Sequence, residues 1–176
     1  MSLYSIALFA HIVGALLLFV TLTVEGVALL QLRRATTTEA AAGAAGLLRL
    51  NRIVGPLSAL GVLIPGLYMS ATSWGWVAWI AVALASWVVI AVLGAVNGIR
   101  ILALERSHAL LTGIQNPMFR ISWSTRVGIA LGVVFLMAVK PGTVAAVLAI
   151  VIAAIAGATL GTAVWTARRT REGQVA

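Results

Sequence analysis

Long apolar runs separated by arginine are the feature that most limits what this chain can fold into. A membrane-crossing helix needs roughly 20 mostly apolar residues at about 1.5 Å rise each. Five such runs are read here, at residues 4–31, 50–71, 76–103, 119–139 and 143–167. In hydrocarbon every backbone polar group must be satisfied internally, so runs of this length are expected to be helices. The 176 residues are 62% hydrophobic and only 9% charged. A water-soluble domain of this length needs far more polar surface. The expected fold is therefore all-α, an integral membrane bundle of five transmembrane helices forming a single domain over residues 1–176.

The twelve basic residues give the orientation. Arg33, Arg34, Arg49 and Arg52 fall between the first and second spans. Arg100, Arg106, Arg120 and Arg126 fall around the junction of the third and fourth, and Arg168, Arg169 and Arg171 follow the fifth. Only Lys140 lies on the other side. Positive residues collect on the cytoplasmic side of a membrane, so the N-terminus is expected outside and the C-terminus inside. The opening segment lacks a basic leader and its apolar run is long, so it is expected to be a retained first helix, not a signal peptide. Trp74, Trp76 and Trp79 flank the first outer turn, Tyr4 marks the outer edge of the first span, and Trp123 and Trp165 lie near the inner edge. Tryptophan and tyrosine prefer these interfaces. A net charge of +8 suits contact with anionic headgroups, and no nucleic-acid-binding module accompanies it.

Local signals place the joints. Thr36 followed by Glu39 reads as a capping box that opens an alanine-rich helical lead into the second span. A bend is expected near Gly55-Pro56 and a kink at Pro65. Asn116-Pro117 reads as a helix start, with Asn as cap and Pro in the first turn. Lys140-Pro141-Gly142 reads as a tight turn between the last two spans. No internal duplication is visible, so a transporter built from two inverted halves of one chain is not expected.

Three spans carry two glycines four residues apart: Gly94/Gly98, Gly128/Gly132 and Gly157/Gly161. Such spacing clears a helix face and lets backbones approach, so the last three spans are expected to pack tightly, or one face to serve a homodimer. Glu25 lies about two turns from the inner end of the first span. A charge at that depth costs roughly 2.5–3.5 kcal/mol on insertion scales unless it is paired or hydrated. Arg126 precedes Lys140 by 14 residues, about 21 Å along a helix, which sets it inside the inner leaflet at the depth of Glu25. An intramembrane Glu25–Arg126 pair near Asn97 is expected, with Ser122 and Thr125 as further hydrogen-bonding groups. It would act as a structural clasp, an ion or proton relay, or an anchor for an anionic headgroup.

His11 is expected about 10 Å into the outer leaflet. Met69 and Met137 end their spans on the same side, with Tyr68 and Lys140 near in depth. One His and two Met form a soft ligand set that suits Cu(I), although methionine is an ordinary packing residue and a lone His usually hydrogen-bonds a neighbour. His11 and His108 are expected too far apart in depth to hold one haem. With no cysteine, thiolate sites and disulfides are excluded. No catalytic constellation is present; Glu39, Glu105 and Glu172 read as solvated charges, and no cofactor is expected.

The segment GVVFLMAVKP, residues 132–141, resembles a stretch near the C-terminus of small uncharacterised bacterial integral membrane proteins, in which a Lys-Pro turn links the last two helices. The phrase FAHIVGALLLF, residues 9–19, is similar to the histidine-bearing opening helix of several small bacterial membrane families, among them the copper-resistance D-like group. The first resemblance implies a multi-pass protein of a bacterial cytoplasmic membrane and no activity. The second points to His11, but the rest of that group's histidine pattern is absent. Three functional classes stay open: a non-enzymatic protein that moves or senses a small solute or ion, alone or as a homo-oligomer; an accessory subunit of a larger membrane complex; and a metal or redox protein centred on His11.

Overall fold

A computed structural model describes residues 2–172, with side chains described through Ala163. The expectations placed on the side chains of Trp165, Arg168, Arg169, Arg171 and Glu172 lie outside the described residues. Among the described residues the chain is all-helical: α1 (Leu3–Arg34), α2 (Thr38–Met69), α3 (Ala78–Arg106), the single turn α4 (Leu110–Gly113), α5 (Pro117–Val139) and α6 (Thr143–Glu172). All but α4 are long and apolar enough to cross a membrane. Large apolar side chains stand exposed along them, including Phe9, Ile99 and Val144 at 70%, 68% and 74%. Such continuous apolar surface marks a multi-pass membrane protein.

Two compact units make up the chain, Met1–Ala81 and Val82–Ala176. In the first unit α1 and α2 form an antiparallel hairpin. Ser2 caps α1 by accepting the Ser5 N–H at 3.2 Å, and Arg33 and Arg34 fill its last turn, where cations suit the helix dipole. The capping box expected at Thr36 and Glu39 is corrected by one residue. Thr37 is the cap, its hydroxyl oxygen accepting from the Ala40 N–H at 3.2 Å. Glu39 then falls one place too early to reach back to the cap, and contributes as an acid in the first turn.

The helix that starts there runs without interruption through Pro56 and Pro65. It continues as a π-helical turn, Ser70–Trp74, closed by Gly75 at φ 67°, whose N–H reaches the Ser70 carbonyl at 2.8 Å. Much of the expected outer turn is therefore helical. The hairpin closes where side chains vanish. A β-carbon at Gly14 would lie 2.5 Å from the carbonyl carbon of Gly61 and 2.7 Å from the nitrogen of Val62, inside any possible contact. Gly14, Thr21, Glu25, Ala28 and Leu32 then recur along one buried stripe of α1 at helical spacing.

In the second unit Asn116 caps α5, accepting from the Met118 N–H at 2.9 Å, with Pro117 in the first turn. Lys140 ends the helix in the left-handed region at φ 51°, its N–H on the Leu136 carbonyl at 2.9 Å. The chain reverses there, so α5 and α6 run antiparallel in contact. Gly128 of α5 faces the Ala153 carbonyl, and Gly132 faces Ile150 and the Ala153 methyl. On α6, Gly157 faces the Ser124 carbonyl and Gly161 faces Ser124 and Ile121. Gly94 of α3 meets a side chain instead, and Gly98 meets nothing within 4 Å.

These contacts separate the glycines by cost. Gly128→Ala drives a methyl into a carbonyl that neither helix can withdraw, and should destabilise by about 2 kcal/mol or more. Gly98→Ala should be neutral or stabilise by up to about 1 kcal/mol, since only helix propensity changes. Thermal unfolding of the two variants in one detergent measures the difference.

Candidate functional site

Polar side chains are few in these helices, and helical period decides which are buried. Glu25 is 6% exposed and sits on the inward stripe of α1, one turn beyond Thr21. In the second unit α5 buries two faces. One carries Ser124, Gly128 and Gly132 against α6. The other carries Phe119, Ser122, Arg126 and Ile129, residues three and four apart. Arg126 on that face is 9% exposed.

Gly94 makes room for Arg126. A β-carbon there would lie 2.8 Å from Nη2 and 3.0 Å from Cζ of the guanidinium, so the group occupies the space that a side chain at residue 94 would take. Asn97 follows Gly94 by three residues on the stripe formed by Ala83, Ile90 and Ile101, and is 3% exposed. The structure thus brings Arg126 to Gly94 and places Asn97 on the same face of α3. Thr125 turns to its own helix and donates to the Ile121 carbonyl at 2.8 Å.

The outer end of the first unit holds a second polar group. His11 Nδ1 lies 2.8 Å from the Val62 carbonyl oxygen. A carbonyl only accepts, so Nδ1 carries the hydrogen in this contact and Nε2 is the ring nitrogen left over. The imidazole lies on Gly66, where a β-carbon would come 3.1 Å from Cε1. Met69, one turn further along α2, is buried, whereas Met137 belongs to the second unit and is 37% exposed. Among the described residues no three His, Cys, Asp or Glu side chains gather as a metal site. His108 takes the left-handed conformation, φ 55°, in the joint between α3 and α4. Trp74 Nε1 donates to Tyr4 Oη at 3.2 Å, and Trp74 meets Trp79 edge to face at 6.2 Å. This aromatic cluster suits a headgroup boundary.

Gly14, Gly61 and Gly66 escaped the sequence reading because none belongs to a four-residue glycine pair. Their only signal was the presence of glycine on helix faces that also carry a histidine or small residues. Comparison of the chain with protein-family models, with curated proteins and with solved structures gives no match in any of the three. The geometry alone therefore carries the functional reading.

The His11 contact makes a graded prediction. His11→Ala removes the donor to Val62 and should cost about 1 kcal/mol of stability. His11→Asn keeps an amide donor near the Nδ1 position and should recover much of the loss. Thermal unfolding of both proteins in detergent compares them, and equal losses would assign the effect to ring packing.

Proposed function

We propose that this chain is a multi-pass membrane protein that moves or senses a small solute or ion and catalyses no reaction. The observation that supports this most is the burial of two opposite charges, Glu25 and Arg126, at 6% and 9% exposure inside apolar helices. A buried charge is costly in such a setting and is usually kept for a task. The depth argument from sequence makes Glu25 and Arg126 partners in the inner leaflet, with Asn97 beside them. The arginine distribution favours the N-terminus outside and the C-terminus in the cytoplasm of a bacterial inner membrane. Lipids, including anionic headgroups at the arginine-rich side, are the proposed surroundings.

Flux or ligand response of the purified chain in lipid vesicles tests the function. Glu25→Gln keeps the shape of the side chain and removes its charge. Flux under an imposed ion gradient should fall at least about tenfold while thermal stability changes by less than about 2 kcal/mol. Absence of flux under every gradient, and of any ligand-dependent change in the protein, would discard the reading. If the two charges pair, Arg126→Gln should cost less in a Glu25→Gln background than alone, by about 1 kcal/mol or more.

The absence of cysteine gives a clean test of orientation. Ser73→Cys should react with a membrane-impermeant maleimide in intact cells. Ala35→Cys should react only after the cells are opened. The reverse pattern would invert the topology.

A further inference from the structure

Two glycines of α3, four residues apart, stand in different surroundings. A β-carbon at Gly98 would meet nothing within 4 Å. A β-carbon at Gly94 would meet three atoms of one side chain, Nη2 at 2.8 Å, Cζ at 3.0 Å and Nε at 3.4 Å of Arg126. No backbone atom is among the three. The glycines of the helix crossings differ: Gly14 meets the backbone of Gly61 and Val62, Gly128 the Ala153 carbonyl and Gly157 the Ser124 carbonyl. Close approach of two backbones accounts for those positions and does not account for Gly94. Within a helix glycine is disfavoured against alanine, so a glycine with no backbone to admit has another reason to stand there.

The kind of atom that is met decides what a methyl group would do. A carbonyl inside a helix cannot withdraw. A guanidinium ends a chain of rotatable bonds and can. To restore an ordinary contact of about 3.5 Å, the fork would have to move by about 0.5–1 Å. Arg126 is only 9% exposed, so the move takes place within a packed interior and not into open space. The side chain is engaged as well as enclosed. Hydrogen bonds and ion pairs of a guanidinium depend on the direction of its planar fork, so a small displacement changes what the charge can do. In enzymes a misplacement of about 1 Å can cost about 100-fold in rate. A substitution at residue 94 is therefore cheap for the fold and expensive for the placement of one charge.

We propose that Gly94 is the positioning residue of Arg126: the bare patch on α3 fixes where the guanidinium lies, and through it the response of the protein to its ion or solute. The proposal rests on the reading that the buried charges serve flux or sensing. It deepens that reading by naming the residue that holds one of them in place. Gly94 acts only through Arg126, by leaving room for it.

The test crosses Gly94→Ala with Arg126→Gln in the full-length chain. Glutamine ends near the Nε position, so the two atoms nearest the new methyl, Nη2 and Cζ, are gone. Gly94→Ala alone should lower flux in lipid vesicles, under an imposed ion gradient, at least about tenfold. Its Tm in neutral detergent should equal that of the wild type or fall by no more than roughly 3 °C. Gly98→Ala adds the same methyl one turn away and should leave flux unchanged. In the Arg126→Gln protein, Gly94→Ala should lower flux no further and should raise Tm by roughly 2–4 °C, because only helix propensity then changes. Wild-type flux in Gly94→Ala overturns the proposal, as does an equal Tm change in the two backgrounds, which would assign the glycine to a helix crossing. If the wild type shows no flux, the transport reading falls and the Tm cycle alone judges the placement of the guanidinium. Wild-type flux with an additive Tm cycle does the reverse.

Discussion

The constraint on which the rest depends is that the backbone of an apolar chain must satisfy its own hydrogen bonds. Where lipid is the solvent, no water pairs an orphan N–H or carbonyl, and only continuous helices meet the demand over such lengths. That explains why α2 continues through Pro56 and Pro65, and why a π-helical turn takes up residues that would otherwise form an open loop. It explains also why hydroxyls fold back onto carbonyls of their own helix. Once the helices exist, association cannot rely on expelling water. It depends on close packing, and close packing depends on side chains being absent at chosen points. Gly14 on Gly61 and Gly128 on Ala153 are those points, one in each unit.

Against this background the polar residues sort by how their bonding is met. Thr125 and Ser86 are satisfied locally and need no functional account. Arg126 is a different case, because a guanidinium has five donors and no local carbonyl set can use them all. Gly94 lets that group lie against a neighbouring backbone, so the glycine serves a charged side chain and not a helix crossing. Glu25 is the buried acid of α1. Function proposed from these residues is thus a statement about where the chain has kept polar groups that packing alone would have removed.

Much of the fold was legible because apolar run length and arginine spacing are coarse signals that tertiary context rarely overrides. Asn116-Pro117 and Lys140-Pro141 were legible for another reason: a cap and a left-handed turn are local, and neighbouring residues determine them. The start of α2 was read one residue early because Thr36 and Thr37 are chemically equivalent caps. Backbone geometry selected the second, which left Glu39 unable to close the box. The glycine spacing told which faces were bare but not what each would meet. Gly128 and Gly157 meet backbone, Gly94 meets a guanidinium and Gly98 meets nothing. The candidate site was legible only as depth: counting residues gave Arg126 the expected depth of Glu25, with Asn97 named near them, but the contact with Gly94 and the unmet donors on Asn97 and Ser122 depend on side-chain direction.

The contact at His11 shows how one exception to the backbone rule is handled. Proline at position 65 has no N–H, so the carbonyl of Gly61 loses its usual intrahelical donor. In the same turn the carbonyl of Val62 receives a donor from the neighbouring helix, His11 Nδ1, at 2.8 Å. A β-carbon at Gly66 would crowd the imidazole at 3.1 Å, and α1 can come this near only because Gly14 has none. Proline, histidine and three glycines are therefore one arrangement. The proline loosens a turn, the glycines admit a neighbouring helix, and the histidine brings a donor to that turn. A histidine held this way has its Nδ1 engaged by a carbonyl before any ligand is considered. That is why its first role is to join α1 to α2, and why any metal would have to use Nε2.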